Sequence, residues 1–229
     1  GVAPDHQTTK RVTQKYEKTA MMKHVHFYGN VEIGRDVSLD ELRQMYDAVV
    51  LAIGAPNDKK LTIPGADKIG VHGSAAFVGW YNGHPDFRDL EPDLNTTTAV
   101  VIGNGNVAVD VARVLLRSPN GMAESDLPDH VSKIIHAAPI TDVYMVGRRG
   151  PADAKFTNVE LREMGHLNMT APRVKAYQMP EDLGAVLSQY GDRDRRLRTR
   201  NIETLKEFAE CADEGKPKNV HFDFFASPI

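Results

Sequence analysis

The sequence predicts an α/β protein built on a Rossmann-like dinucleotide-binding domain, with part of a second α/β unit before it. Three observations predict this. The apolar run Ala99-Val100-Val101-Ile102 leads directly into Gly103-Asn104-Gly105-Asn106-Val107-Ala108, after which apolar residues recur at Val107, Val111, Val114 and Leu115 with helical spacing. A second strand, Asp142 to Val146, ends in Gly147-Arg148-Arg149-Gly150-Pro151. Residues 24–55 read as strand, helix and strand, half of a further unit of the same kind.

The first observation carries the most chemistry. A buried strand, a tight turn and a helix need glycine where the turn is tight and where the backbone must approach a pyrophosphate, and a small residue where helix packs on strand. Gly103, Gly105 and Ala108 fit those three roles. The free N–H groups and positive dipole end at the helix start would then face the phosphates. A GxGxxA string alone also occurs in plain αβ turns, and its context of strand before and helix after is what favours a nucleotide.

Composition bounds the alternatives. The 229 residues are 41% apolar and 26% charged with a net charge of −3, a globular composition that argues against nucleic acid as the main partner. No run approaches the roughly 18 apolar residues of a membrane-spanning helix. The first ten residues resemble neither a signal peptide nor a transit peptide, and the chain does not begin with Met, which suggests processing or truncation. The single cysteine, Cys211, excludes an intramolecular disulfide or a CxxC pair within these residues and reads as a small helix residue. The nine histidines show no metal-ligand spacing, and His24 and His26 read as a solvent-facing pair on a strand.

In chain order, Thr8 to Met22 reads as a polar helix, and His24 to Ile33 as a strand with a Gly-Asn bend. Ser38 with Glu41 three residues on is a capping box opening a short helix to Tyr46. AVVLAIGA, residues 48–55, reads as a buried parallel strand. Pro56-Asn57-Asp58 punctuates the chain as a linker, so residues 1–56 and 57–229 are expected to form separate domains. Residues 70–86 look too irregular for one element; there Trp80, Tyr81 and His84 either line a cleft or, the better reading for Trp80, pack inside. A helix is expected near Asp129 to Ala137, another over Phe156 to Met164, a charged one from Gly191, and a strand over Val220 to Phe225.

The end of the second strand selects the cofactor in a dinucleotide fold. An acid there hydrogen-bonds the ribose 2′-OH of NAD, whereas Arg accommodates the 2′-phosphate of NADP. Arg148 and Arg149 stand at that place with no acid at the strand end, which reads as NADP(H). The alternative is a pair of arginines capping a surface loop. Likewise the run Arg193, Arg195, Arg196, Arg198 and Arg200 is either a solvated helix face or a basic patch that steers an acidic protein.

Several strings fall in an order that resembles the adrenodoxin reductase family, the ferredoxin-NADP reductases of mitochondrial and related bacterial type. They are GVAPDH at residues 1–6, FYGNVEIGRDV at 27–37, FVGWYNGHPD at 77–86, VIGNGNVAVDVAR at 101–113, GRRGP at 147–151, FTNVELREM at 156–164 and FFASP at 224–228. The resemblance implies a flavoenzyme in which NADPH gives a hydride to FAD, and electrons pass singly to an acidic ferredoxin or adrenodoxin, in a mitochondrial matrix or a bacterial cytoplasm. It places Asn104, Gly105, Asn106 and Val107 at the NADP pyrophosphate, Arg148 and Arg149 at the 2′-phosphate, Glu160 at the adenosine end and Val31 at the FAD adenine. His6 and Asp110 match residues near the flavin, and Arg162, Arg195 and Arg196 match the ferredoxin-facing side. The family's own FAD fingerprint and its closing GW…G segment have no counterpart in these strings. The resemblance therefore implies the end of an FAD half-domain over 1–56 and most of an NADP domain over 57–229, inactive alone. The competing expectation is a shortened homologue acting as a structural or regulatory subunit.

Overall fold

The computed structural model describes residues 3–55, 57–210 and 215–229. Pro56 of the expected linker, Cys211, and the first two residues of the GVAPDH string lie outside the described residues. The chain divides into two units, one of residues 6–58 and one combining residues 3–5 with 59–229.

The larger unit is organised by a four-stranded, all-parallel sheet in the order β1-β2-β4-β3, with β1 at Thr98–Ile102, β2 at Asp142–Gly147, β3 at Thr170–Val174 and β4 at Lys218–Phe224. Because every strand points the same way, all carboxyl ends share one edge, where ligands bind in open α/β sheets. In register, Ile102 faces Val146, so the turn after β1 and the loop after β2 leave the sheet side by side.

One face of the sheet is packed. Val143, Met145, Val220, Phe222 and Phe224 join the core with Val109, Ala112, Leu116, Leu161 and Leu205 from the helices Asn106–Leu116, Asn158–Gly165 and Asp192–Glu210. The fingerprint helix forms where its apolar spacing predicts, and so does the helix Asp129–Ala137. The other face differs from the expectation that β1 is fully buried, because Val100 and Ile102 are exposed. Beside them Tyr144 stacks on His221, with ring centroids 4.1 Å apart and planes 6° from parallel, and His221 Nε2 lies 2.8 Å from Asp142 Oδ1. A continuous apolar run cannot tell one buried face from two, since it supplies side chains for both.

Residues 70–86 are more regular than their composition suggests. Ser74–Tyr81 is a helix that buries Phe77, Trp80 and Tyr81, with Phe77 meeting Trp80 at 5.3 Å and Tyr81 edge-on at 5.8 Å. Trp80 is thus a packing residue. β3 and the short helix Leu183–Leu187 carry no clear periodicity in the sequence.

In residues 6–58 the capping box forms as expected. Ser38 Oγ accepts from the Glu41 N–H, and Glu41 Oε2 accepts from the Ser38 N–H, opening the helix Leu39–Met45. The polar helix is split into Gln7–Lys10 and Thr13–Ala20. The two expected strands, 24–33 and 48–55, are not formed; a single bridge, Ile33 to Val37, is the pairing among the described residues there. Their alternation is real, but a strand also needs a neighbour to take its N–H and C=O groups. Phe27, Val50 and Ile53 consequently remain largely exposed.

One-sided burial gives a direct check. Met145→Ala, on the packed face, is expected to cost about 2–5 kcal/mol, and Val100→Thr, on the open face, about 0.5 kcal/mol or less. Urea unfolding midpoints would measure both, and equal losses would contradict the packing described.

Candidate nucleotide-binding site

The site is built from the turn after β1. Gly103 has φ 149°, a backbone conformation that residues with a Cβ rarely adopt, and its N–H donates to Val146 O at 2.9 Å. A Cβ at Gly103 would meet the Ala108 methyl at 3.8 Å, an ordinary contact, so it is the backbone conformation and not crowding that favours glycine there. Gly105 is the N-cap of the helix Asn106–Leu116, no side chain caps that end, and a Cβ at Gly105 would meet nothing within 4 Å. The first-turn N–H groups therefore open onto free space.

The neighbouring loop is fastened to this turn. A Cβ at Gly147 would fall 1.8 Å from Asn104 Nδ2, so only glycine lets the Asn104 side chain lie across the end of β2. Asn104 O accepts from the Lys155 N–H at 2.7 Å, and Asn106 Oδ1 accepts from the Thr157 N–H at 2.7 Å. Asn104 Oδ1 is buried without a hydrogen-bond partner. From the other side, Ala226 N–H donates to Gly147 O at 3.1 Å and Phe225 N–H to Arg149 O at 3.3 Å, holding the loop that carries the exposed Arg148 and Arg149. Phe225 has φ 56° and lays its ring against Gly150.

Beneath the fingerprint helix lies a cluster that sequence reasoning did not find. The Arg113 side chain is 1% exposed. Its Nε and Nη2 donate to the two carboxylate oxygens of Asp5 at 2.8 and 3.1 Å, Nη2 also to Asp110 at 2.8 Å, and Nη1 to Glu160 at 3.1 Å. Glu163 lies 3.4 Å from Nη1, and Arg117 Nη1 donates to Asp5 at 2.6 Å. Burial by itself pushes the Asp5 carboxyl upward, but the hydrogen bonds and charges of Arg113 and then Arg117 outweigh it and hold Asp5 at about 2. An arginine within an otherwise apolar helix face, three residues after Asp110, was the available signal.

The remaining sequence-predicted residues are distributed as follows. Gly103, Asn104, Gly105, Asn106, Val107 and Ala108 form the turn and first helical residues, with Arg148 and Arg149 on the adjacent loop. Asp110 and Glu160 meet at Arg113. Arg162, Arg195 and Arg196 are exposed, Arg195 donating to Tyr190 O at 3.2 Å. His6 and Val31 belong to the unit of residues 6–58, His6 at the start of the helix Gln7–Lys10 and Val31 half-exposed after Asn30, whose φ is 57°.

A glycine turn that opens a helix after a parallel strand, with the loop of the next strand beside it, is the arrangement of a dinucleotide-binding α/β fold. Residues 4–149 match the family described as pyridine nucleotide-disulphide oxidoreductase, and the chain belongs to that family. The resemblance to the adrenodoxin reductase type is borne out by its relatives. NADPH-ferredoxin reductase FprA of Mycobacterium tuberculosis is 41% identical over 229 residues, covering 100% of this chain and 49% of FprA. Mitochondrial NADPH:adrenodoxin oxidoreductase of Bos taurus is 48% identical over 172 residues, covering 75% of this chain and 35% of that protein. The solved structure of Mycobacterium tuberculosis FprA in complex with NADPH superposes with a TM-score of 0.90 at 41% identity, covering 100% of this chain and 49% of that one. The chain spans about half the length of FprA.

The buried cluster sets an acid limit on stability. Asp5 falls from the ordinary 3.8 to about 2 on folding, so its contribution is complete above 3.8 and lost as pH drops through about 2. That contribution is on the order of 2 kcal/mol. Denaturant titrations between about pH 5 and pH 2 should show unfolding free energy falling with pH, and Asp5→Asn should remove this part of the slope. Unchanged pH dependence in the variant would refute the assignment.

Proposed function

We propose that this chain supplies the NADP(H) site of an NADPH:ferredoxin oxidoreductase of the adrenodoxin reductase type, and that Arg148 and Arg149 select NADP(H) over NAD(H). The observation that carries the reading is the pair of exposed arginines held beside the uncapped fingerprint helix by the Gly147–Asn104 approach. The residues present fit a dinucleotide: Gly105 leaves open space at the helix start, and no side chain caps the first-turn N–H groups.

In this reading the N–H groups of Asn106, Val107 and Ala108 take the pyrophosphate oxygens, and the helix dipole supports that negative charge. The two guanidinium forks take the 2′-phosphate. When bound, NADPH supplies the hydride, whose acceptor in the whole protein is FAD. Asp110 and Glu160, each bonded to Arg113, join the floor beneath the fingerprint helix to the helix Asn158–Gly165 and so keep turn and loop at fixed separation. Arg162, Arg195 and Arg196 offer positive charge to an acidic ferredoxin-type partner. A mitochondrial or bacterial setting follows the same relatives.

Nucleotide affinity tests the reading. Arg148→Ala with Arg149→Ala should weaken NADP+ binding, measured by calorimetry, by about 1.5–3 kcal/mol per lost charge-assisted contact, with NAD+ binding nearly unchanged. Equal losses for the two nucleotides would overturn the cofactor assignment.

A further inference from the structure

The loop that carries Arg149 contains its own carboxylate. Asp153 Oδ1 lies 3.7 Å from Arg149 Nη1, with the two side chains 31% and 56% exposed. The same oxygen accepts a hydrogen bond from the Tyr190 hydroxyl at 2.8 Å. Tyr190 is fixed in turn, because the Arg198 guanidinium carbon sits 3.8 Å above its ring centroid and Arg198 Nη1 donates to the carbonyl of Ala152. The chain of contacts therefore closes on itself: Ala152 precedes Asp153, and the long helix Asp192–Glu210 braces both through Arg198.

The geometry is asymmetric. Asp153 makes a close bond to Tyr190 and only a long ion pair with Arg149, so its carboxylate is drawn away from the cation it faces. An exposed ion pair at that separation is weak, whereas a phosphate can take a guanidinium through two parallel charge-assisted bonds. The bond to Asp153 also holds the Tyr190 phenol above its ordinary pKa, keeping it a donor.

We propose that Asp153 is the resident counter-ion of Arg149, held back by Tyr190 and Arg198, and that it competes with the nucleotide 2′-phosphate for that guanidinium. The inference rests on Arg148 and Arg149 being the 2′-phosphate ligands. It makes Asp153 a residue that limits affinity and hastens release, and Tyr190 the residue that limits Asp153. Like charge is the reason: a carboxylate one side-chain length from the phosphate raises the free energy of the bound state, and it neutralises the cation in the empty one.

The two residues should then act in opposite directions, which a purely structural role would not produce. With the full 229-residue chain, titration calorimetry would compare adenosine 2′,5′-bisphosphate with adenosine 5′-phosphate. Asp153→Asn should bind the bisphosphate about two- to fivefold more tightly, and Tyr190→Phe should bind it more weakly by a similar factor, because the freed carboxylate closes on Arg149. Neither variant should alter binding of the monophosphate. Weaker or unchanged bisphosphate binding by Asp153→Asn overturns the inference while leaving the cofactor reading intact. Failure of the unmodified chain to prefer the bisphosphate would overturn the cofactor reading, and the inference with it.

Discussion

The buried guanidinium of Arg113 is the interaction on which the rest of the larger unit depends. A charge at 1% exposure is tolerated only when its donors are taken up, and here they go to Asp5, Asp110 and Glu160, with Glu163 close by. These partners come from a segment before the sheet, from the fingerprint helix itself and from the helix after β2. One side chain thereby fixes three pieces of chain that apolar contacts alone would let slide. The expense is desolvation, and it is offset because Nε, Nη1 and Nη2 of the guanidinium all donate to carboxylates.

The second constraint is steric. Parallel pairing of β1 and β2 brings Gly103 and Gly147 to one edge, and the missing side chain at Gly147 allows Asn104 to cross it. Backbone bonds from Lys155 and Thr157 then lock the loop after β2 to the turn after β1. The cations on that loop and the free N–H groups of the helix are set by the same few contacts.

Much of this was legible in the sequence. Thr98–Ile102, Asn106–Leu116, Asp129–Ala137 and Asp142–Gly147 form close to where periodicity and capping place them, since each satisfies a local pattern that its packed environment also wants. The strands expected at 24–33 and 48–55 failed for the opposite reason. Alternating apolar residues specify a face to bury, but ladder partners are supplied by other chain segments, and none of the described residues provides them there.

The sequence by itself determined the class of fold, because the strand, the glycine turn and the helix after it follow from turn sterics and apolar spacing, which are local. It also determined the family, through strings that keep their order along the chain. Only the tertiary structure decided that Asp110 and Glu160 share one buried arginine, that Val100 and Ile102 of β1 are exposed, and that Asp153 faces Arg149 while bound to Tyr190. The Tyr190–Asp153 and Arg113–Glu160 bonds join residues 37 and 47 positions apart. Side-chain partnerships at such separations are chosen by how the elements pack, and no local pattern encodes them.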